Sequence, residues 1–239
     1  QMKKNAHTIL NSAFNGMDSL GNYSPEDAAM FWDLRVQSLE AQAIEPIKAL
    51  EEMRGFAYSE EEILQEVVNR LLKNETYRTL FSEAFPSEEE KITTENIAKS
   101  IATYERSVLG NQSRFDAYKR GDISALSESE KDGLKIFAEV GCANCHNGPM
   151  LSDFKIHVLG IPDHSKLGER DLGFENTNGF RTPTLRNLRF TFPYMHNGTL
   201  KSVKEILEFY EDISQIHIFL GKLEFRLLPS PGQYGAGCI

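Results

Sequence analysis

Apolar positions return at helical spacing along much of the chain. After Ser59, Ile63, Val67 and Leu71 recur every fourth residue with Leu64, Val68 and Leu72 beside them, which is the stripe of an amphipathic helix. Ile97, Ile101 and Val108 form a second stripe behind Thr93 and Thr94. Residues 25–47 also read as helix, with Met30, Leu34 and Leu39 apolar and Glu26 and Asp27 well placed in the first turn. Ser59, Ser127 and Ser202 each precede a Glu by three residues (Glu62, Glu130, Glu205), a capping-box pattern that predicts three helix starts. Strand patterns are scarce, and only 153–160 and 215–220 look extended. The class is therefore mostly α. From Gly148 to Thr191 the chain is rich in Gly, Pro, Asp and Asn, and a loop of that length is expected to be functional or wrapped around something. The last residues, 226–239, read as an irregular tail because Pro229, Pro231 and several glycines forbid a regular helix.

Composition narrows the partners. The 239 residues carry 26 Lys and Arg against 35 Asp and Glu, a net charge of −9, which leaves little attraction for nucleic acid or an anionic membrane surface. No stretch approaches the ~18 apolar residues of a membrane span. The chain opens Gln1-Met2-Lys3-Lys4-Asn5, without an initiator Met or a signal-peptide pattern, so a processed or partial chain is expected.

Chemistry enters with the cysteines. Cys142-Ala143-Asn144-Cys145-His146 has the C-x-x-C-H pattern of covalent c-type haem attachment. Two thiols near one helical turn can add to the two vinyl groups of one porphyrin while the adjacent imidazole reaches the iron. A zinc site would want a second such pair, and a thioredoxin-like redox motif would want a βαβ context; this sequence offers neither. Haem attachment to cysteine needs an oxidising compartment, so a periplasmic location is expected. Cys238 is left over in the tail.

Around that motif other words become specific. Phe180-Arg181-Thr182-Pro183-Thr184-Leu185-Arg186-Asn187 and Pro193-Tyr194-Met195-His196-Asn197-Gly198 resemble the C-terminal haem domain of the bacterial dihaem cytochrome c peroxidases and MauG proteins. Asn5-Ala6-His7-Thr8-Ile9-Leu10-Asn11 and Phe31-Trp32-Asp33-Leu34-Arg35 resemble two N-terminal segments of the same family, with His7 where the family has Pro and Leu34 where it has Gly. Gln42, Pro46, Glu52 and Met53 follow at the family's spacing. The resemblance covers roughly residues 4–210. It implies a cytochrome c-like haem domain at 125–225, preceded at 1–124 by the remainder of a second, N-terminal cytochrome c-like domain that carries the peroxidatic haem. The family's first C-x-x-C-H would fall before residue 1, so one haem c attaches here and a second is expected upstream.

The resemblance also implies roles. His146 is the proximal ligand, and Tyr210 stands where the peroxidases carry Met and MauG proteins carry Tyr, with Met195 and Met150 as rival distal ligands. A thioether would raise the haem potential, whereas a phenolate favours the higher oxidation states of iron. Glu52 and Gln42 match residues facing the peroxidatic haem, where a carboxylate can move a proton between peroxide oxygens. Trp32, the only Trp, corresponds to the residue lying between the two haems. Asn5, Thr191 and Pro193 match an interdomain Ca²⁺ site, an oxygen-only set suited to that ion. Arg35 and Arg186 are candidate partners of haem propionates. The implied activity is reduction of hydrogen peroxide by electrons from a small cytochrome c or cupredoxin, or oxidation of a protein substrate, in a family that often forms homodimers. A monohaem electron-transfer protein without catalysis is the alternative.

Overall fold

The computed structural model describes residues 4–18, 20–163 and 170–220, with side chains in the last helix described through 213. Contacts divide the chain into two compact units, His7–Asn144 and Gln1–Ala6 with Cys145–Ile239. That division falls later than the expected 124/125 boundary, so Cys142 belongs to one unit and Cys145 to the other.

The first unit is helical. Its core joins α1 (Leu39–Lys48), α2 (Glu60–Leu72), α3 (Glu75–Ala84) and α4 (Thr94–Ser107) through Ile47, Ile63, Val68, Phe81, Ile92 and Ile97. Of the stripes expected after Ser59 and Thr93, α2 buries Ile63 and Val68 with Leu64, Val67 and Leu71 packed beside them, and α4 buries Ile97 with Ile101 beside it, while Leu72 stays exposed and Val108 caps α4. Ser59 and Glu62 form a reciprocal capping box at α2, and Ser127 and Glu130 form one at α6 (Glu128–Glu139). Another capping box, Ser113 with Asp116, starts α5 (Arg114–Lys119); a search for Glu alone at the third position passes over it.

The expected helix over 25–47 is corrected. A 3-10 turn at Pro25–Asp27 is followed by a two-stranded antiparallel pairing of β1 (Ala29–Met30) with β2 (Val36–Gln37), and α1 begins only after Ser38. Phe31, Leu34 and Ser38 have φ of 70°, 55° and 73°, in the left-handed region that a continuous helix excludes. The chain turns there so that Trp32 can be buried.

In the second unit, β3 (Ile156–His157) pairs antiparallel with β4 (Phe180–Arg181), so part of the expected 153–160 strand is present. The other expected strand, 215–220, is corrected. It lies inside α7 (Val203–Leu220), whose backbone continues helical because the cluster of apolar residues suits a helix as well as a strand. Ser202 accepts from Glu205 N–H at 3.2 Å, but Glu205 turns its carboxylate to Lys201 N–H at 2.7 Å, giving half of the expected box. Cys238 and the 226–239 tail lie outside the described residues.

Candidate haem-attachment site and its surroundings

α6 ends at Glu139 with Val140 as its cap, Gly141 follows with a φ of 88° that suits glycine, and Cys142–Asn144 then forms a 3-10 turn with Asn144 N–H donating to Gly141 O at 3.0 Å. Cys142 and Cys145 are half-buried thiols, not a disulfide.

The second unit holds His146 by its backbone. Leu151, with φ of 51°, turns its carbonyl toward the imidazole, and His146 Nδ1 lies 3.0 Å from Leu151 O. A carbonyl only accepts, so Nδ1 carries the proton and Nε2 carries the lone pair. Burial is the largest influence on this ring and lowers its pKa, outweighing the Leu151 carbonyl, Asp153 and the Pro183 carbonyl, which favour the charged form. A neutral imidazole fixed through its far nitrogen is the form that ligates metal. His146 therefore fits an iron-porphyrin held at the adjacent cysteines.

Each rival distal ligand belongs to the same unit as His146. Tyr210 sits half-buried on α7, its ring edge-on to Phe209 at 5.6 Å. Met150 is buried, with its carbonyl accepting from Thr184 Oγ1 at 2.6 Å. Met195 adopts φ of 68°. Arg186 is half-buried and donates through Nε to Pro149 O at 2.5 Å.

Two further residues of the quoted motifs stand out only in three dimensions. His196 is 3% exposed and stacked on Phe180 at 3.5 Å and 9°, and its Nδ1 is buried with no hydrogen-bond partner. Burial pushes its pKa down to about 4, so the ring is neutral. Arg181, on β4 beside Phe180, has its guanidinium 5.8 Å from the Phe154 ring centroid, and burial pushes it down to about 10. A desolvated cation is stabilised by a carboxylate, which is what a porphyrin carries at its edge. The sequence words contained both residues, but their burial could not be read from the words.

At the proposed calcium position, Asn5 N–H donates to His196 O at 2.6 Å, and its side-chain amide lies 2.5 Å from Pro193 O and 3.5 Å from Met195 O. Thr191 follows a 3-10 turn, Leu188–Phe190, and donates N–H to Leu188 O at 3.2 Å. As placed, the Asn5 amide donates to these carbonyls; rotation by half a turn would present its oxygen to a cation alongside them.

The first unit carries the other expected residues. Trp32 is buried, and His7 packs on it with ring centroids 4.5 Å apart, so the His in place of Pro becomes an aromatic neighbour of the Trp. Arg35 is exposed; its guanidinium covers the Phe31 ring at 3.6 Å and pairs with Asp33 at 2.9 Å. Pro46, inside α1, has no N–H for the carbonyl of Gln42, so the helix continues to Lys48 with one backbone hydrogen bond missing at the residue the family pattern singles out. Glu52 lies on a π-helical turn, Leu50–Arg54, secured by Arg54 Nε donating to Lys48 O at 2.8 Å and Nη1 to Tyr58 O at 3.1 Å. Such turns recur at functional sites. Glu52, Phe31, Arg35 and Pro46 share a cleft of about 100 Å³. That is well under the ~300 Å³ of ordinary ligand pockets and of the scale of a few-atom molecule. Gln42, half-buried on α1, does not line it.

Among the described residues no helix is long and apolar enough to cross a membrane. Residues 1–124 match the family model for di-haem cytochrome c peroxidases. The chain is 34% identical over 211 residues to cytochrome c551 peroxidase of Nitrosomonas europaea, spanning 85% of this chain and 57% of that protein. It is 31% identical over 210 residues to the methylamine utilization protein MauG of Methylophilus methylotrophus, spanning 85% and 56%. It thus covers a little over half the length of these relatives. Among solved structures, a MauG-like protein associated with microbial copper homeostasis superposes with a TM-score of 0.65 at 25% identity, over 80% of this chain and 64% of that one. The diheme peroxidase BthA of Burkholderia thailandensis gives 0.64 at 21% identity over 77% and 51%, a likeness of fold alone. With a mostly helical fold, a C-x-x-C-H motif and these relatives, the chain belongs to the di-haem cytochrome c peroxidase family, whose members carry haem c.

Proposed function

We propose that the chain works within a peroxidase that reduces hydrogen peroxide to water with two electrons and two protons, the electrons being relayed through a haem c attached at Cys142 and Cys145. The observation that carries this reading is the His146 Nδ1 to Leu151 O hydrogen bond of 3.0 Å immediately behind the two cysteines. It holds Nε2 unprotonated for iron. When bound, haem supplies the iron chemistry of peroxide reduction and electron relay.

The chain's own residues support specific tasks. Glu52 Oε takes a proton from one peroxide oxygen and returns it to the other, a transfer its place in the small cleft beside Phe31 and Arg35 favours. Gln42, on α1 and outside that cleft, is assigned to peroxide by the family resemblance alone. Trp32, buried against His7, is the aromatic relay. Tyr210 would help His146 hold the haem iron, with Met195 as the rival. Arg181, added to the expected Arg186 and Arg35, would receive a propionate. Asn5, Thr191 and Pro193 hold Ca²⁺. The location is periplasmic, the electron donor is a small cytochrome c or cupredoxin, and the protein pairs as a homodimer.

A pyridine haemochrome of protein matured in a haem-attaching host counts covalent haem, and peroxide-dependent oxidation of a reduced cytochrome measures turnover. Glu52→Gln in the full-length protein should lower turnover by about 100-fold or more with haem content unchanged. Wild-type turnover in that variant removes Glu52 from the mechanism. Covalent haem with no peroxide turnover in the full-length protein favours the electron-transfer alternative. Absence of covalent haem defeats both.

A further inference from the structure

Cys145, His157 and Asp153 come together in the second unit in a way that haem attachment does not use. Cys145 Sγ lies 3.9 Å from His157 Nδ1, and the other ring nitrogen, Nε2, lies 2.8 Å from Asp153 Oδ2. Backbone structure sets this arrangement: Asp153 N–H donates to Cys145 O at 2.8 Å, and His157 is fixed on β3 by its pairing with Phe180. One ligand atom from each of the three residues lies within 4.8 Å of the others, and all three residues are half-buried. Zinc bonds of about 2.3 Å to sulfur and 2.0 Å to nitrogen, at a tetrahedral angle, put those atoms about 3.5 Å apart. The observed 3.9 Å is therefore a sub-ångström adjustment from coordination. The carboxylate on the far nitrogen is the partner that orients a metal-bound histidine, and thiolate with imidazole selects a zinc-class ion over Ca²⁺ or Mg²⁺.

We infer that, before haem is attached, the chain binds a zinc-class divalent cation through Cys145 Sγ and His157 Nδ1, with Asp153 holding the imidazole and water filling the remaining positions. Binding forms metal–sulfur and metal–nitrogen bonds and releases the thiol proton to solvent, with no change of oxidation state. Once the sulfur is a thioether its anionic donor is gone, so this cation and covalent haem exclude each other. The site stands on its own geometry and does not depend on the peroxidase reading.

The test uses the full chain produced without haem-attaching machinery, reduced and stripped of metal, and titrated with Co²⁺ alone. One equivalent should give a thiolate-to-cobalt charge-transfer band in the near ultraviolet, displaced by Zn²⁺. Cys145→Ser and His157→Ala should abolish the band, and Asp153→Asn should weaken affinity by about 10–100-fold. Far-ultraviolet circular dichroism checks each variant's fold, and His157→Gln, which keeps bulk and polarity, should lose the band as His157→Ala does. No band in the wild-type chain, a full band in a folded His157 variant, or undiminished binding by the haem-loaded chain overturns the inference. Haem content of separately matured protein reports on the haem reading, so failure of one is distinguishable from failure of the other.

Discussion

Asn11 closes one of the family-like segments of the sequence, and its surroundings give its replacement a calculable cost. The residue is 1% exposed with φ of 62°. Its Oδ1 accepts from Gly110 N–H at 2.7 Å, its Nδ2 faces Gly110 O at 3.4 Å, and its own N–H donates to Val108 O at 2.9 Å. Asn11 thus ties residues 7–14 to the chain leaving α4. Asn11→Ala leaves the half-buried Gly110 N–H without its acceptor, a cost of about 1–3 kcal/mol. Alanine also tolerates the left-handed backbone less well than Asn, adding about 1 kcal/mol. The sum, about 2–4 kcal/mol, corresponds in a cooperative unit of about 140 residues to a fall in Tm of about 7–13 °C. Asn11→Gly removes the backbone conflict but not the lost hydrogen bond, so it should melt above Asn11→Ala yet below wild type. Circular dichroism melts of the three proteins decide the matter. An Asn11→Ala protein that melts within about 2 °C of wild type refutes the reasoning.

Three further outcomes are expected. Arg106 donates to both carboxylate oxygens of Glu40 at 2.6 and 2.9 Å, and this pairing holds the Glu40 pKa below its ordinary 4.5. The pair's contribution, about 1 kcal/mol at this partial exposure, is present above pH 4.5 and is lost as pH falls through the folded-state value. The Tm gap between wild type and Arg106→Gln should therefore shrink in acid, and a gap constant from pH 7 to pH 3 would contradict it. Phe81→Ala, in the core of the first unit, should cost about 3–5 kcal/mol in urea unfolding, and a loss under 1 kcal/mol would show that Phe81 is not packed as described. Tyr210→Phe should change the ferric haem absorption spectrum of matured protein, whereas an unchanged spectrum, or a long-wavelength methionine–iron band in wild type, would transfer the distal role to Met195 or Met150.

Features written in neighbouring residues were legible before any coordinates. The capping boxes at Ser59 and Ser127, the stripes of α2 and α4 and the C-x-x-C-H motif each lie within one or two turns of chain, where residue type dictates geometry directly. The family words named Trp32, Glu52, His146 and Tyr210 as candidates, but not what surrounds them. Residues 25–47 misled because their apolar spacing permits a helix, while the β1–β2 pairing and burial of Trp32 impose left-handed backbone at Phe31, Leu34 and Ser38. Likewise, the His157–Asp153–Cys145 cluster, the stack of His196 on Phe180 and the grip of Asn11 on Gly110 join residues far apart in the chain or fixed by strand pairing. Hydrophobic period and motif spacing constrain only what one segment can do alone. Which distant groups lose water together, and so shift in charge, bind metal or go unpaired, is settled when the segments pack.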